Sequence, residues 1–220
     1  MVKEREQIVL NHSIEIERTD AMPSFSRDYI LQNAAIIMYP TNKIPSDVAQ
    51  MVNPKIKDIS CIFIIPVQHD DVKETHTITW NDIESVNIDC KELLDAAIDR
   101  TPRFVIARLD ACIGADNSDN EMYVVTKKDK RFGACALMYS ALWNSLYDSF
   151  HQNLYVLPSS IHELIVIPES FLAIENPEEV PGDLLNMVKE VNRTCVNDDD
   201  FLADHVYYID YDNLTVTTVA

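Results

Sequence analysis

Glycine is scarce in this chain: 3 residues of 220, against 10 prolines. Glycine-rich phosphate cradles, flexible linkers and glycine-marked repeats are therefore excluded, and no GxSxG nucleophile elbow occurs. Positive charge is also short. Lys and Arg total 18 against 36 Asp and Glu, a formal net charge of −18, with a pI near 4.5. Affinity for nucleic acid comes largely from clustered Lys and Arg, so direct nucleic-acid binding is not expected, and binding to an anionic membrane fails for the same reason. No run of about 18 apolar residues occurs, so no membrane-spanning helix is expected. The charged start Met1-Val2-Lys3-Glu4-Arg5-Glu6 leads into no long apolar stretch and does not read as a signal peptide. The 5 cysteines are scattered with no CxxC pair, which argues against a zinc ribbon or a thioredoxin-type site and for free, mostly buried thiols in a reducing cytoplasm.

What is present is an ordinary globular composition, 47% hydrophobic and 25% charged. That suits one main domain, residues 55–220, with a divergent N-terminal segment, residues 1–54, packed on it. Within that segment Gln7–Glu17 alternates partly and reads as a strand, Asp28–Tyr39 as a helix stopped by Pro40, and Ser46–Val52 as a short helix capped by Ser46. Ile59–Val67 is β-branched and nearly all apolar, a buried central strand. Thr75–Thr79 reads as a strand, and Trp80–Val86 and Asp89–Asp99 as helices, the second capped by Asp89 with Glu92 as its capping-box partner. Ala115–Glu121 is a polar loop.

Met122–Thr126 and Phe132–Tyr139 read as a hairpin over Lys127-Lys128-Asp129-Lys130. Ser140 caps a helix through Phe150. Glu175–Pro181 is an acidic loop, Asp183–Arg193 a helix, Asp198–Ala203 a short acidic helix, and Val206–Asp210 with Leu214–Thr218 a terminal hairpin. The order predicts an α+β fold with a largely antiparallel sheet and helices packed on it.

The densest chemistry lies in Asn153–Ser170, NLYVLPSSIHELIVIPES. Two apolar runs, each ending at a proline, flank two hydroxyls, an imidazole and a carboxylate. Ser159, Ser160, His162 and Glu163 are the candidates for catalysis. A zincin needs a second histidine four residues after the first, and position 166 is Val. On a strand, His162 and Glu163 point to opposite faces, which would remove a hydrolase built on these four. The structural alternative is that Ser159 and Ser160 satisfy a tight turn after Pro158 while His162 bonds backbone or a nearby acid. A Cys135–His162 nucleophile pair requires adjacent strands, but Cys135 sits in an apolar GACALMY stretch that suits an inert thiol. Asp198, Asp199, Asp200 and Asp204 are the candidates for a divalent cation. They lack the glycine and terminal glutamate of a calcium loop, and an acidic helix start explains them. No metal or other cofactor is expected.

Several segments together resemble a family. They are Ile78–Trp80, ELLDAAIDRTPR (Glu92–Arg103), MYVVTKKDKRFGACALMY (Met122–Tyr139), LYVLPSSIHELIVIP (Leu154–Pro168), MVKEVNRT (Met187–Thr194) and FLADHVYYID (Phe201–Asp210). In this order they resemble an uncharacterised bacterial domain family, found mainly in anaerobic Gram-positive bacteria, marked by an LPSS-hydrophobic-His-Glu segment. The likeness covers residues 55–218. Arg100 stands where the family pattern has Asn, and Cys135 where it has Ala. The resemblance implies fold and a cytoplasmic bacterial origin, and no activity. The expected function is a non-enzymatic binding or interaction protein with an acidic surface and protein partners, basic ones in particular. The alternatives are a hydrolase-like enzyme using Ser159, Ser160, His162 and Glu163, and a nucleic-acid mimic that antagonises a DNA-binding protein.

Overall fold

The computed structural model describes residues 25–53, 56–69, 72–100, 102–114, 121–172, 180–213 and 215–220. The expected strand Gln7–Glu17, the loop at 115–120 and most of the acidic loop 175–181 lie outside them. Helix α1 (Arg27–Asn33) opens where the Ser26 hydroxyl accepts the Tyr29 N–H, and ends at Ala34. The chain then turns directly into strand β1 (Ala35–Pro40), so the single helix expected over Asp28–Tyr39 is half helix and half strand. The physical reason is a pairing partner. β1 lies antiparallel to the long strand β3 (Ile56–His69), and Ile36, Ile37 and Met38 are all buried there. Tertiary pairing of β-branched residues overrides local propensity. The helix expected over Ser46–Val52 is replaced for the same reason. Val48 bridges Thr79, and β2 (Gln50–Asn53) pairs along the other edge of β3. Strand β4 (Val72–Thr77) completes a four-stranded antiparallel sheet. β1 and β2 come from before residue 55 and pair with β3, which follows it.

Helix α2 (Trp80–Ser85) starts at a full capping box in which Thr79 and Asp82 bond each other's backbone N–H. Helix α3 (Cys90–Asp99) is capped by Asp89, which accepts the Glu92 N–H at 2.8 Å. The Glu92 carboxylate turns away to pair with Arg27 of α1. Strand β5 (Phe104–Arg108), which had no counterpart among the expected elements, leads through α4 (Leu109–Ile113) to β6 (Tyr123–Lys127).

The hairpin expected after β6 does not form. Residues Gly133–Met138 wind into a buried 3-10 helix, because both edges of β6 are already taken, by β5 and by β8 (Glu163–Pro168). Helix α5 (Ser140–Phe150) follows with Tyr139, not Ser140, at its N-cap and no capping side chain. β7 (Leu154–Ser160), β8, α6 (Val180–Cys195), β9 (Tyr207–Asp210) and β10 (Thr215–Thr218) complete the chain, and the second sheet runs β10-β9-β7-β8-β6-β5, antiparallel throughout. Pro181 sits in the first turn of α6, where its missing N–H leaves no helical bond unmade. The expected helix Asp198–Ala203 is only a turn over 198–200. The fold is α+β.

The six-stranded sheet is covered on both faces. Leu154, Val156, Leu164, Val166 and Tyr207 join a core that includes Ile36, Phe63 and Ile65 of the four-stranded sheet. The alternate residues Tyr155, Leu157 and Ile167 pack on the other side against Leu184 and Val188 of α6. This two-sided burial is why β7 and β8 read as continuous apolar runs instead of alternating ones. One polar contact ties the sheets. The fully buried Tyr207 donates its hydroxyl to Asp58 of β3 at 2.6 Å. Burial first, then the bond to Asp58, pushes the Tyr207 phenol well above its ordinary value of 10.0.

A group whose folded pKa is raised contributes stability that is intact below the unfolded pKa and is lost as pH rises past it. The thermal midpoint should therefore fall as pH is raised from about 9 to about 11. Tyr207→Phe should lower stability at neutral pH by about 1.5–3 kcal/mol and make that alkaline decline shallower, leaving the part due to other raised groups such as Tyr139 and Cys135. Thermal melts of both proteins across the series check it.

Candidate functional site

The β7–β8 connection carries the four candidate side chains, and its backbone explains how they meet. Pairing slips between Pro158 and Ser160, so that Pro158 faces Leu164 while Ser160 faces Glu163. Ser159 is the extra residue of a bulge, a feature that bends a strand and re-aims a side chain. Ile161 and His162 form the turn. His162 therefore does not obey strand alternation, and the expected separation of His162 and Glu163 onto opposite faces does not hold. Ser159, Ser160, His162 and Glu163 line one cleft of about 230 Å³ together with Val191, Cys195, Val196 and Asp200.

The hydrogen bonds define what each group can do. Ser160 Oγ accepts the His162 N–H at 3.0 Å and so holds the turn. Ser159 Oγ donates to Glu163 Oε1 at 3.3 Å. The imidazole is engaged at both nitrogens. His162 Nδ1 accepts the backbone N–H of Phe132 at 3.0 Å, and Nε2 lies 3.1 Å from Asp200 Oδ1. A nitrogen that accepts an N–H carries no proton, so the neutral ring is the Nε2–H tautomer and donates to Asp200. No lone pair is left to take a proton from either serine. In general base catalysis the base must be within hydrogen-bond reach of the proton it removes, and this one is spent on the fold.

The same turn is gripped through its backbone. The His162 carbonyl accepts from the Gly133 N–H at 2.9 Å and from the Thr126 hydroxyl at 2.8 Å. Ile161, fully buried, takes the Ala134 N–H on its carbonyl and gives its own N–H to the Asp200 carbonyl at 2.9 Å. To offer its N–H to the imidazole, Phe132 adopts a left-handed backbone with φ of 56°, an uncommon state for a residue with a β-carbon. Gly133 is required outright. A Cβ there would lie 2.4 Å from the His162 carbonyl oxygen and 2.6 Å from Thr126 Cα, both backbone atoms.

Elsewhere the candidates stay apart. Cys135 lines a different cavity, is buried, and its thiol is pushed up to about 12 mainly by burial, so no Cys135–His162 pair is built in this cleft. Of the four aspartates, Asp200 holds His162, Asp204 accepts from Asn192 at 2.7 Å, and Asp198 and Asp199 are exposed. Among the described residues no group of three or more His, Cys, Asp or Glu side chains could hold a metal ion. Nothing in residues 153–170 points to Asp200 or Cys195 as members of the site. Asp200 is 38 positions from His162, and nothing local in either segment announces the contact.

An antiparallel α+β domain with a gripped β7–β8 turn and a shallow acidic cleft is the class that this structure defines. The chain belongs to a family of unknown function, DUF5688, whose model matches residues 36–212. The match includes β1 and β2, and so begins earlier than the likeness first traced over 55–218. No curated protein and no solved structure matches the chain.

Two substitutions test the grip on the turn. Gly133→Ala should destabilise by about 3 kcal/mol, since backbone must move to admit the methyl group. His162→Ala should cost about 1–3 kcal/mol, because it strands the Phe132 N–H and leaves the partly exposed Asp200 carboxylate with Asn197 as its partner. Denaturant unfolding measures both, and losses below about 0.5 kcal/mol would contradict this account of the turn.

Proposed function

We propose that this is a non-enzymatic binding protein whose acidic surface engages a basic protein partner, with the cleft beside the β7–β8 turn as the principal contact. The observation that supports this reading is the committed imidazole. With both ring nitrogens bonded inside the protein, the cleft offers a guest mainly acceptors. Glu163 bonds only the Ser159 hydroxyl, and no cation pairs with it among the described residues. The Asp200 carboxylate lies beside it, and the C-terminal end of α6, at Cys195, adds the negative pole of a helix dipole. A cleft of about 230 Å³ is below the size of a drug-like pocket and suits a single lysine or arginine side chain. The net charge of −18 steers such a partner from a distance. A cytoplasmic setting belongs to the same proposal on the strength of five free thiols, and a bacterial origin on the strength of the family resemblance alone.

The convergence of Ser159, Ser160, His162 and Glu163 in one cleft keeps a hydrolase as the second reading. Affinity capture with the wild type and with Glu163→Gln distinguishes the two. Basic proteins bound by the wild type, released by raised salt and lost by about tenfold in Glu163→Gln, are the expected result. Turnover of ester, peptide or phosphoester substrates that Ser159→Ala abolishes without a change in melting temperature would overturn the binding reading.

A further inference from the structure

A second cavity, of about 200 Å³, lies on the other side of the 3-10 helix, between the start of β1, the C-terminal end of α3 and the end of β6. Its polarity is the reverse of the protein's. In a chain with 36 acidic and 18 basic residues, its lining holds Arg100 and Lys127 and, among the described residues, no carboxylate. The Tyr139 hydroxyl and Asn33 add neutral polar groups, and Ile36, Ala97, Pro102 and Cys135 supply an apolar floor.

The cations are only partly engaged within the protein. Arg100 donates to the Ala34 carbonyl at the end of α1, which uses one of a guanidinium's five N–H groups. The Lys127 ammonium lies 3.9 Å from Asp129 Oδ1, at the outer limit of an ion pair, on a side chain only 17% exposed whose partner is 52% exposed. It also sits 5.8 Å from the centre of the Phe132 ring. The Tyr139 hydroxyl makes one long bond, 3.4 Å, to the Ala97 carbonyl. Burial lowers the pKa of Arg100 and raises that of Tyr139, so the cavity penalises the cation it contains and keeps the phenol a donor. An anion in the cavity would offset the first effect and use the second.

We propose that this cavity binds a small organic oxyanion, a carboxylate on a short apolar body, held by Arg100 and Lys127. Two cations in one cavity, of which only Lys127 meets a carboxylate and that at the 3.9 Å outer limit of an ion pair, call for an anion. The volume sets the size. At about 30 Å³ for each displaced water, the space of about 200 Å³ takes the equivalent of about seven waters, too little for a nucleotide. The apolar floor favours a carbon body over a bare inorganic ion. The site is separate from the acidic cleft, so its fate is independent of the binding reading above.

Titration of the isotopically labelled full chain with butyrate, inorganic phosphate and butanol, at constant ionic strength, tests it by amide chemical shifts. Saturable shifts with butyrate at Ala35, Arg100 and Lys127 are expected, with phosphate about tenfold weaker and butanol without effect. Lys127→Gln should weaken butyrate by about tenfold or more, and Lys127→Arg should restore part of it. Absence of saturable shifts in the wild type, equal affinity for phosphate, or undiminished binding by a folded Lys127→Gln would overturn the proposal. The three-probe comparison on the wild type decides the matter even if a variant fails to fold.

Discussion

The imidazole of His162 is the joint on which the rest of the molecule is assembled. It accepts the Phe132 N–H on one side and meets Asp200 on the other, while the carbonyls of Ile161 and His162 receive Ala134, Gly133 and Thr126. Two distant stretches of chain, the exit from β6 and the turn that follows α6, are thereby fastened to the two-residue β7–β8 turn. Each bond is modest by itself, about 1 kcal/mol net. Their value lies in mutual dependence, because loss of the ring strands the Phe132 N–H and at the same time takes a partner from Asp200. The left-handed Phe132 and the obligatory Gly133 are local conformations that only such a joint would maintain.

Around that joint the two sheets share one core. Residues of β7 and β8 alternate between the face toward the four-stranded sheet and the face under α6, so neither strand presents a face to water. The Tyr207–Asp58 bond pins the sheets between a fully buried phenol and a partly exposed carboxylate. A chain so constrained has little freedom to rearrange the turn, and an imidazole held in one tautomer by the fold is poorly suited to shuttling protons. That is the physical link between the architecture and the proposal of a binding role.

Much of this was legible in the residues. The central strand at Ile59–Val67, the helices after Thr79 and Asp89, the strand pair around LPSSIHE and the terminal hairpin follow from apolar pattern and capping chemistry. The failures share one cause, tertiary context. Ala35–Pro40 and Gln50–Asn53 became strands because β3 needed two neighbours, and Gly133–Met138 became a 3-10 helix because β6 already had two. The convergence of His162 and Glu163 depends on a bulge at Ser159 that alternation cannot reveal. Glycine scarcity does not by itself mark the grip: of the three glycines, Gly133 has no room for a Cβ, which would lie 2.4 Å from the His162 carbonyl oxygen, while Gly114 and Gly182 have open space there. The Asp200 contact leaves no trace in either segment.

The acidic cleft and the cationic cavity flank the same 3-10 helix region with opposite charge, which gives the small domain two chemically distinct faces. Their separation rests on the joint between them, and the state of its ring is the most direct test. Nitrogen-15 NMR of His162 in the folded protein should find Nδ1 unprotonated and hydrogen-bonded, with the proton fixed on Nε2 and slow to exchange. A protonated Nδ1, or a ring averaging between tautomers, would contradict the account.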